Sequence, residues 1–273
     1  MDKISLRILM KLIYCIMLLS ILKPFTSFRV VIKSSVLSTF RFFCHKNEDV
    51  ESIVVDFMKS SCLVQNGDYL LLSVSGGSDS MCLLHIMQNI KNLWNPPLRV
   101  EVVNFNHKLR PEADHEASFV SSISAGYEIP FYSRSLPEKN RVGNGLQATA
   151  RIWRRSESLK ILKEVANSAL PYKANMFIAT AHHKDDQVET LMLKLLRGVH
   201  ISRLYPMLPI YGKFIKPLLS LRKQDIETYM KNGGHSWCED SSNSERKYKR
   251  NAVRLDLVPT LKALAGGEKA LYR

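Results

Sequence analysis

Leu70-Leu71-Leu72-Ser73-Val74-Ser75-Gly76-Gly77-Ser78-Asp79-Ser80 governs how the rest of the chain is read. An apolar run stops at two glycines and several hydroxyls, and Met81, Leu83, Leu84, Met87 and Ile90 then resume at helical spacing. The pattern is strand, tight loop, helix. Gly76 and Gly77 permit positive φ and close approach of a ligand to the backbone, while Ser75, Ser78 and Ser80 bring hydroxyl groups. Unpaired N–H groups at the following helix start bind anions, and the helix dipole favours negative charge there. The loop is therefore expected to grip a phosphate. Asp79 would repel that phosphate unless a cation lay between them, and magnesium is the natural choice. A Walker loop requires Lys-Ser/Thr after its second glycine, but Asp79-Ser80 stands in that place, so this loop is of another kind.

The remainder alternates in the same way. Residues 52–63 read as an opening helix, 69–74 as the first strand and 98–105 as a second, Val-rich strand. Strand, helix, strand implies a parallel pair with a right-handed crossover, and ligands in such sheets lie beyond the carboxyl ends of the strands. Asn106-His107-Lys108-Leu109-Arg110 falls at one such end. Residues 129–132 read as a short strand. A helix is expected over residues 146–169, with Ile152, Leu159, Leu162, Ala166 and Ala169 as its apolar stripe and Arg151, Arg154 and Arg155 on an exposed side.

A second polar cluster follows a buried-type strand at residues 176–180. His182-His183-Lys184-Asp185-Asp186-Gln187-Val188-Glu189-Thr190 runs straight into an apolar helix. His182 and Asp186 are four apart and share a face of that helix start. First-turn acids alone would suit the helix dipole, and a His pair with a carboxylate would suggest zinc. The first reading leaves the density of polar groups unexplained, and the second lacks a further His or Cys ligand nearby. A catalytic cluster facing the same crevice as Asp79 accounts for both. Downstream, residues 222–232 read as a helix stopped by Gly233-Gly234. Arg246, Lys247, Lys249, Arg250 and Arg254 then make a basic run suited to RNA phosphates.

Composition narrows the class. The chain has 273 residues, 45% of them hydrophobic, enough for one large domain with extensions. A formal charge of +14 points to a polyanionic partner, a targeting segment, or both. Five scattered cysteines without a Cys-x-x-Cys pair argue against a zinc site, an iron–sulfur cluster or a disulfide framework. Between Lys3 and Lys46 there are eight Lys and Arg residues and no acid. Residues 1–47 are therefore expected to be an organelle transit peptide, with a plastid (chloroplast) favoured and a mitochondrion second. Leu12 to Leu22 also has the length of a secretory h-region, but unpaired cysteines and a phosphate- and magnesium-binding domain over residues 48–273 suit a reducing compartment better.

The ordered words Ser75 to Ser80, Asn106 to Arg110, Gly143-Asn144 with Gln147 to Arg151, His182 to Thr190, Arg197-Gly198, Lys216-Pro217-Leu218-Leu219, Glu239 to Asn243 and Arg250-Asn251-x-x-Arg254 resemble a known family. They resemble the tRNA(Ile)-lysidine synthases, of the PP-loop class that splits ATP between its α and β phosphates, over about residues 68–261. The resemblance implies an α/β fold, a Rossmann-like doubly wound parallel sheet. It implies ATP and Mg2+ as cofactors, and as substrates free L-lysine and a tRNA(Ile) with a CAU anticodon. The wobble cytidine is adenylated at its C2 oxygen with loss of pyrophosphate, and the ε-amine of lysine then displaces AMP. On that footing Ser75, Gly76, Gly77, Ser78, Asp79 and Ser80 hold the nucleotide. Asp79 and Asp186 are magnesium-linked carboxylates, and the catalytic set is Asp79, His182, Asp186 and Arg250. The mature protein is expected to have no stable membrane association, and an oligomer stays open.

Two departures stand beside the resemblance. Val199-His200-Ile201-Ser202-Arg203-Leu204-Tyr205-Pro206 replaces the small residues the family usually places after Arg197-Gly198. Many members also continue into further tRNA-gripping domains past the equivalent of Arg273, so a weaker or shared grip on tRNA is expected. The rival readings are a PP-loop tRNA thiolation enzyme, which would commonly use paired cysteines, and a truncated, non-catalytic RNA-binding relative.

Overall fold

The computed structural model describes residues 49–108, 112–137, 146–167, 174–239 and 249–267. The expected leader, Leu109, Arg110, Gly143, Asn144, Asp240 to Asn243, Arg246 and Lys247 lie outside the described residues, as does the side chain of Gln147.

Six strands make one sheet: β1 (Tyr69–Ser73), β2 (Arg99–Asn106), β3 (Phe131–Ser135), β4 (Met176–Ala179), β5 (Ile210–Tyr211) and β6 (Phe214–Ile215). Their order across the sheet is β3-β2-β1-β4-β6-β5. Every pairing is parallel except that of β5 with β6. The helices are α1 (Val50–Ser60), α2 (Ser78–Ile90), α3 (Glu112–Gly126), α4 (Leu146–Asn167), α5 (Lys184–Leu196) and α6 (Lys223–Asn232). A last helical stretch comprises α7 (Lys249–Ala252), a wide π turn (Val253–Leu257) and α8 (Val258–Leu264).

β1 shows why the sheet is covered on both faces. Leu70 and Leu72 join Met81, Leu84, Met87, Ile226 and Met230 in one core, while Tyr69 and Leu71 join Trp153, Ile161 and Leu162 in another. Period-two alternation thus sends apolar side chains to both sides, as a strand between two helical layers requires. Each such leucine contributes roughly 1.5–3 kcal/mol through burial.

Topology places the site. The chain adds β2 and β3 on one side of β1, then returns to lay β4 on the other side. The loops after β1 and β4 therefore open onto the point where the winding reverses, which is where open α/β sheets hold ligands. The expected doubly wound parallel sheet is what the structure shows.

Two local expectations differ. The edge strand β5 is antiparallel, because Gly212, at φ +60°, turns the chain back within a short hairpin. The apolar stripe of α4 is also rotated: Ile152 is 70% exposed, whereas Trp153, Ile161, Leu162 and Val165 are buried. Trp153 offers more area than Ile152 and sets its ring edge-on to Phe105, with centroids 5.5 Å apart, so it fixes the face that turns inward.

Candidate active site

The loop after β1 is held open by its own hydroxyls. Ser80 donates its O–H to the Gly77 carbonyl at 2.9 Å and accepts the Ser75 N–H at 3.1 Å. With its proton on Gly77, Ser80 also accepts from the Ser75 hydroxyl, 3.1 Å away. Ser80 is buried and stitches the loop from within, while Ser75 and Ser78 stand closer to its mouth. Gly76 has φ +97°, a conformation that strains any residue with a Cβ. Gly77 is the N-cap of α2, and no side chain caps that helix start. Its first N–H groups consequently point at an anion site.

The loop after β4 supplies the facing wall. Backbone N–H of His183 donates to Asp186 Oδ2 at 3.0 Å, so the N3 carboxylate of α5 closes its own helix start. The buried His183 ring then lies among three carboxylates: Nε2 is 3.6 Å from both Asp79 Oδ2 and Asp186 Oδ2, and Nδ1 is 3.6 Å from Asp185 Oδ2. These are ion-pair distances, too long for hydrogen bonds. Burial favours the neutral ring, yet Asp185, Asp79 and Asp186 push His183 up to about 9. Burial likewise works against the Asp79 charge, but His183 and Lys223 outweigh it and hold Asp79 near about 2.

His182 has the opposite environment. Burial pushes it down, Asp186 pulls it up, and Lys216, Arg250 and Arg151 add to the burial and leave it at about 4. The Thr180 hydroxyl donates to the Ile215 carbonyl at 3.3 Å and lies 2.9 Å from His182 Nδ1. Which of Thr180 and His182 Nδ1 donates in that contact follows the tautomer of the ring.

Arg250 and Arg254 close the site from the last helical stretch. Glu189, 2% exposed, accepts Arg250 Nε at 2.6 Å through Oε2 and Arg254 Nε at 2.5 Å through Oε1. Arg250 also bonds Asp186 Oδ1. The π turn falls on Arg254 itself, a local widening often found at functional sites. Both guanidinium side chains stay 38–40% exposed and so keep a face for an incoming phosphate.

A further side chain enters from α6. Lys223 Nζ donates to Asp79 Oδ1 at 2.6 Å and to Ser78 Oγ at 2.8 Å, while its backbone N–H bonds Asp185 Oδ2 at 2.8 Å. Asp185 Oδ1 also lies 3.6 Å from Lys262 Nζ.

A family model described as a PP-loop domain matches residues 46–261. A tRNA(Ile)-lysidine synthase from Petrotoga mobilis is 31% identical over 80% of this chain and 68% of its own. The chain belongs to the tRNA(Ile)-lysidine synthase family. A family member from Clostridium perfringens is 33% identical over 76% of this chain but only 43% of its own length, so this chain spans less than half of that relative. Among solved structures, the U34-tRNA thiolase NcsA from Methanococcus maripaludis, solved with its [4Fe-4S] cluster, superposes with a TM-score of 0.62. It is 15% identical over 82% of this chain and 74% of that chain, a likeness of fold alone.

For this member of the lysidine synthase family, the structure brings Asp79, His182, Asp186 and Arg250 to one crevice with the Ser75–Ser80 loop. Within that crevice it is His183 that lies beside Asp79, with 3.6 Å between Nε2 and Oδ2. Asp186 accepts from Arg250 at one oxygen and from the His183 N–H at the other, so it also anchors the wall. Among the described residues no group of three or more His, Cys, Asp or Glu side chains is set to hold a metal. Magnesium seldom needs such a cage, because one carboxylate plus substrate phosphates suffices, and Asp79 at the loop mouth fits that pattern.

His183, Glu189 and Lys223 are the functional residues the sequence reading did not single out. Asp186 and Glu189 are three apart and so share a helix face, a signal that was present. His107, from the second expected ligand-facing loop, sets its ring edge towards Trp153 at 5.7 Å between centroids.

Proposed function

We propose that this protein joins free lysine to C2 of the wobble cytidine of a CAU-anticodon tRNA(Ile), consuming ATP and releasing pyrophosphate and AMP. The observation that carries the reading is the facing of the Ser75–Ser80 loop and the His182–Glu189 segment across one switch-point crevice in a chain of this family.

The chemistry follows from the residues. A carbonyl oxygen is a poor leaving group, so it must first become a phosphate ester. The C2 oxygen attacks the α-phosphorus of ATP, and the bond to the β-phosphate breaks. The α2 start and the Gly76-Gly77 backbone hold the departing pyrophosphate. Asp79 would hold Mg2+, which supplies charge neutralisation at the phosphates.

In the second step the ε-amine of lysine attacks C2, the C2–O bond breaks, and AMP leaves carrying that oxygen and the electron pair of the broken bond. An ammonium of ordinary pKa, about 10.4, must shed a proton before attacking. His183 already carries its proton and is excluded from that task. His182, held neutral by burial and by Lys216, Arg250 and Arg151, is the acceptor. Arg250 and Arg254 steady the AMP phosphate or the tRNA backbone through their open faces.

Delivery to a plastid or mitochondrion through residues 1–47, with a mature domain of residues 48–273, belongs to the same proposal. It rests on the acid-free basic composition of the leader. Pyrophosphate release tests the first step: with ATP, Mg2+ and CAU-anticodon tRNA(Ile), release should depend on tRNA and fall at least about 100-fold in Asp79→Asn. Release unchanged by that substitution would remove Asp79 from the mechanism.

A further inference from the structure

The loop lacks the lysine that a Walker loop carries within its own sequence, and yet a lysine ammonium lies on it. Lys223 Nζ sits 2.6 Å from Asp79 Oδ1 and 2.8 Å from Ser78 Oγ, at the first turn of α2. We propose that Lys223, delivered from α6, is the polyphosphate-binding cation of this loop, turning from the Asp79 carboxylate to the β- and γ-phosphate oxygens when nucleotide enters. The inference rests on the reading of the loop as an ATP site.

Three features support it. First, the root of Lys223 is fixed while its tip is not. Its backbone N–H is held by Asp185 at 2.8 Å, and the Lys184 N–H bonds the Leu221 carbonyl at 2.8 Å, which ties the start of α6 to the start of α5. The side chain, 34% exposed, can change partner without moving the helix. Secondly, the charges of the crevice are balanced among themselves. Arg250 and Arg254 are committed to Glu189, and His183 lies among Asp79, Asp185 and Asp186. A triphosphate adds negative charge at the loop, and Lys223 is the cation already within hydrogen-bond distance of two loop residues. Thirdly, Ser78 Oγ accepts from Lys223, so its own proton stays available to donate to the same phosphate. Departure of the ammonium frees Asp79 Oδ1, the oxygen best placed for the divalent cation.

Nucleotide binding to the full chain, measured by calorimetry with MgATP and separately with AMP, tests the assignment. Lys223→Met should weaken MgATP binding about 10- to 100-fold, the range for loss of one charge-assisted hydrogen bond, and Lys223→Arg should recover most of it. AMP lacks the β- and γ-phosphates, so its affinity should stay within about twofold in Lys223→Met. A thermal melt of each variant reports on folding. Equal weakening of MgATP and AMP would assign Lys223 a structural role and overturn the proposal, as would unchanged MgATP binding. Failure of the unsubstituted chain to bind MgATP would instead overturn the reading of the loop itself.

Discussion

Three carboxylates surround His183, whereas its neighbour His182 faces Lys216, Arg250 and Arg151 as well as Asp186. Adjacent residues on an extended backbone point to opposite sides, so one ring joins the acidic wall and the other the basic one. Their proton affinities separate accordingly, to about 9 and about 4. The sign of the stability effect follows. His183 is raised from 6.5 to about 9, so its contribution is complete below the unfolded value and is lost as pH climbs through the folded one. Urea unfolding between about pH 6 and 9.5 should show stability declining with pH, and His183→Gln should flatten that decline. An unaltered slope in the variant would mean that the ring is neutral when folded. His182→Ala should leave pyrophosphate release largely intact but lower lysine transfer about 100-fold or more. Equal loss in both steps would place His182 elsewhere in the mechanism.

At the scale of elements, Glu189 joins α5 to the last helical stretch through two arginines on either side of the start of a π turn. Replacing it with Gln removes one of the two buried carboxylates that hold Arg250 and Arg254 and leaves Asp186. Both arginines are 38–40% exposed, so the cost should be about 1–3 kcal/mol in chemical denaturation. A loss below about 1 kcal/mol would mean that the arginines are solvated. The strand–loop–helix units at β1 and β4 were legible from residues alone because their signals are local: an apolar run, a glycine or polar turn, then a 3.6-residue period. The rotation of α4 was not, since choosing between Ile152 and Trp153 depends on Phe105 across the core. Lys223 was equally hidden. It meets Asp79 across 144 residues of sequence, and before folding it is one basic residue at an ordinary helix start. His183 looked interchangeable with His182 until the direction of the backbone decided between them.

For the molecule as a whole, the formal charge of +14 matters most for association with RNA. Affinity for tRNA should fall at least about tenfold between about 50 and 200 mM salt, through release of counterions from the phosphates. MgATP binding in the same range should change far less, because it engages far fewer phosphates than a tRNA backbone does. Comparable losses for both ligands would contradict an extended electrostatic grip. The central claim is the transfer of lysine, and incorporation of radiolabelled L-lysine into tRNA(Ile) tests it most directly. With ATP and Mg2+, the full chain should label CAU-anticodon tRNA(Ile) at its wobble cytidine and leave the same tRNA unlabelled when that cytidine is replaced by uridine. Absence of ATP-dependent label in the cytidine-bearing tRNA, despite bound ATP and tRNA, would contradict the account.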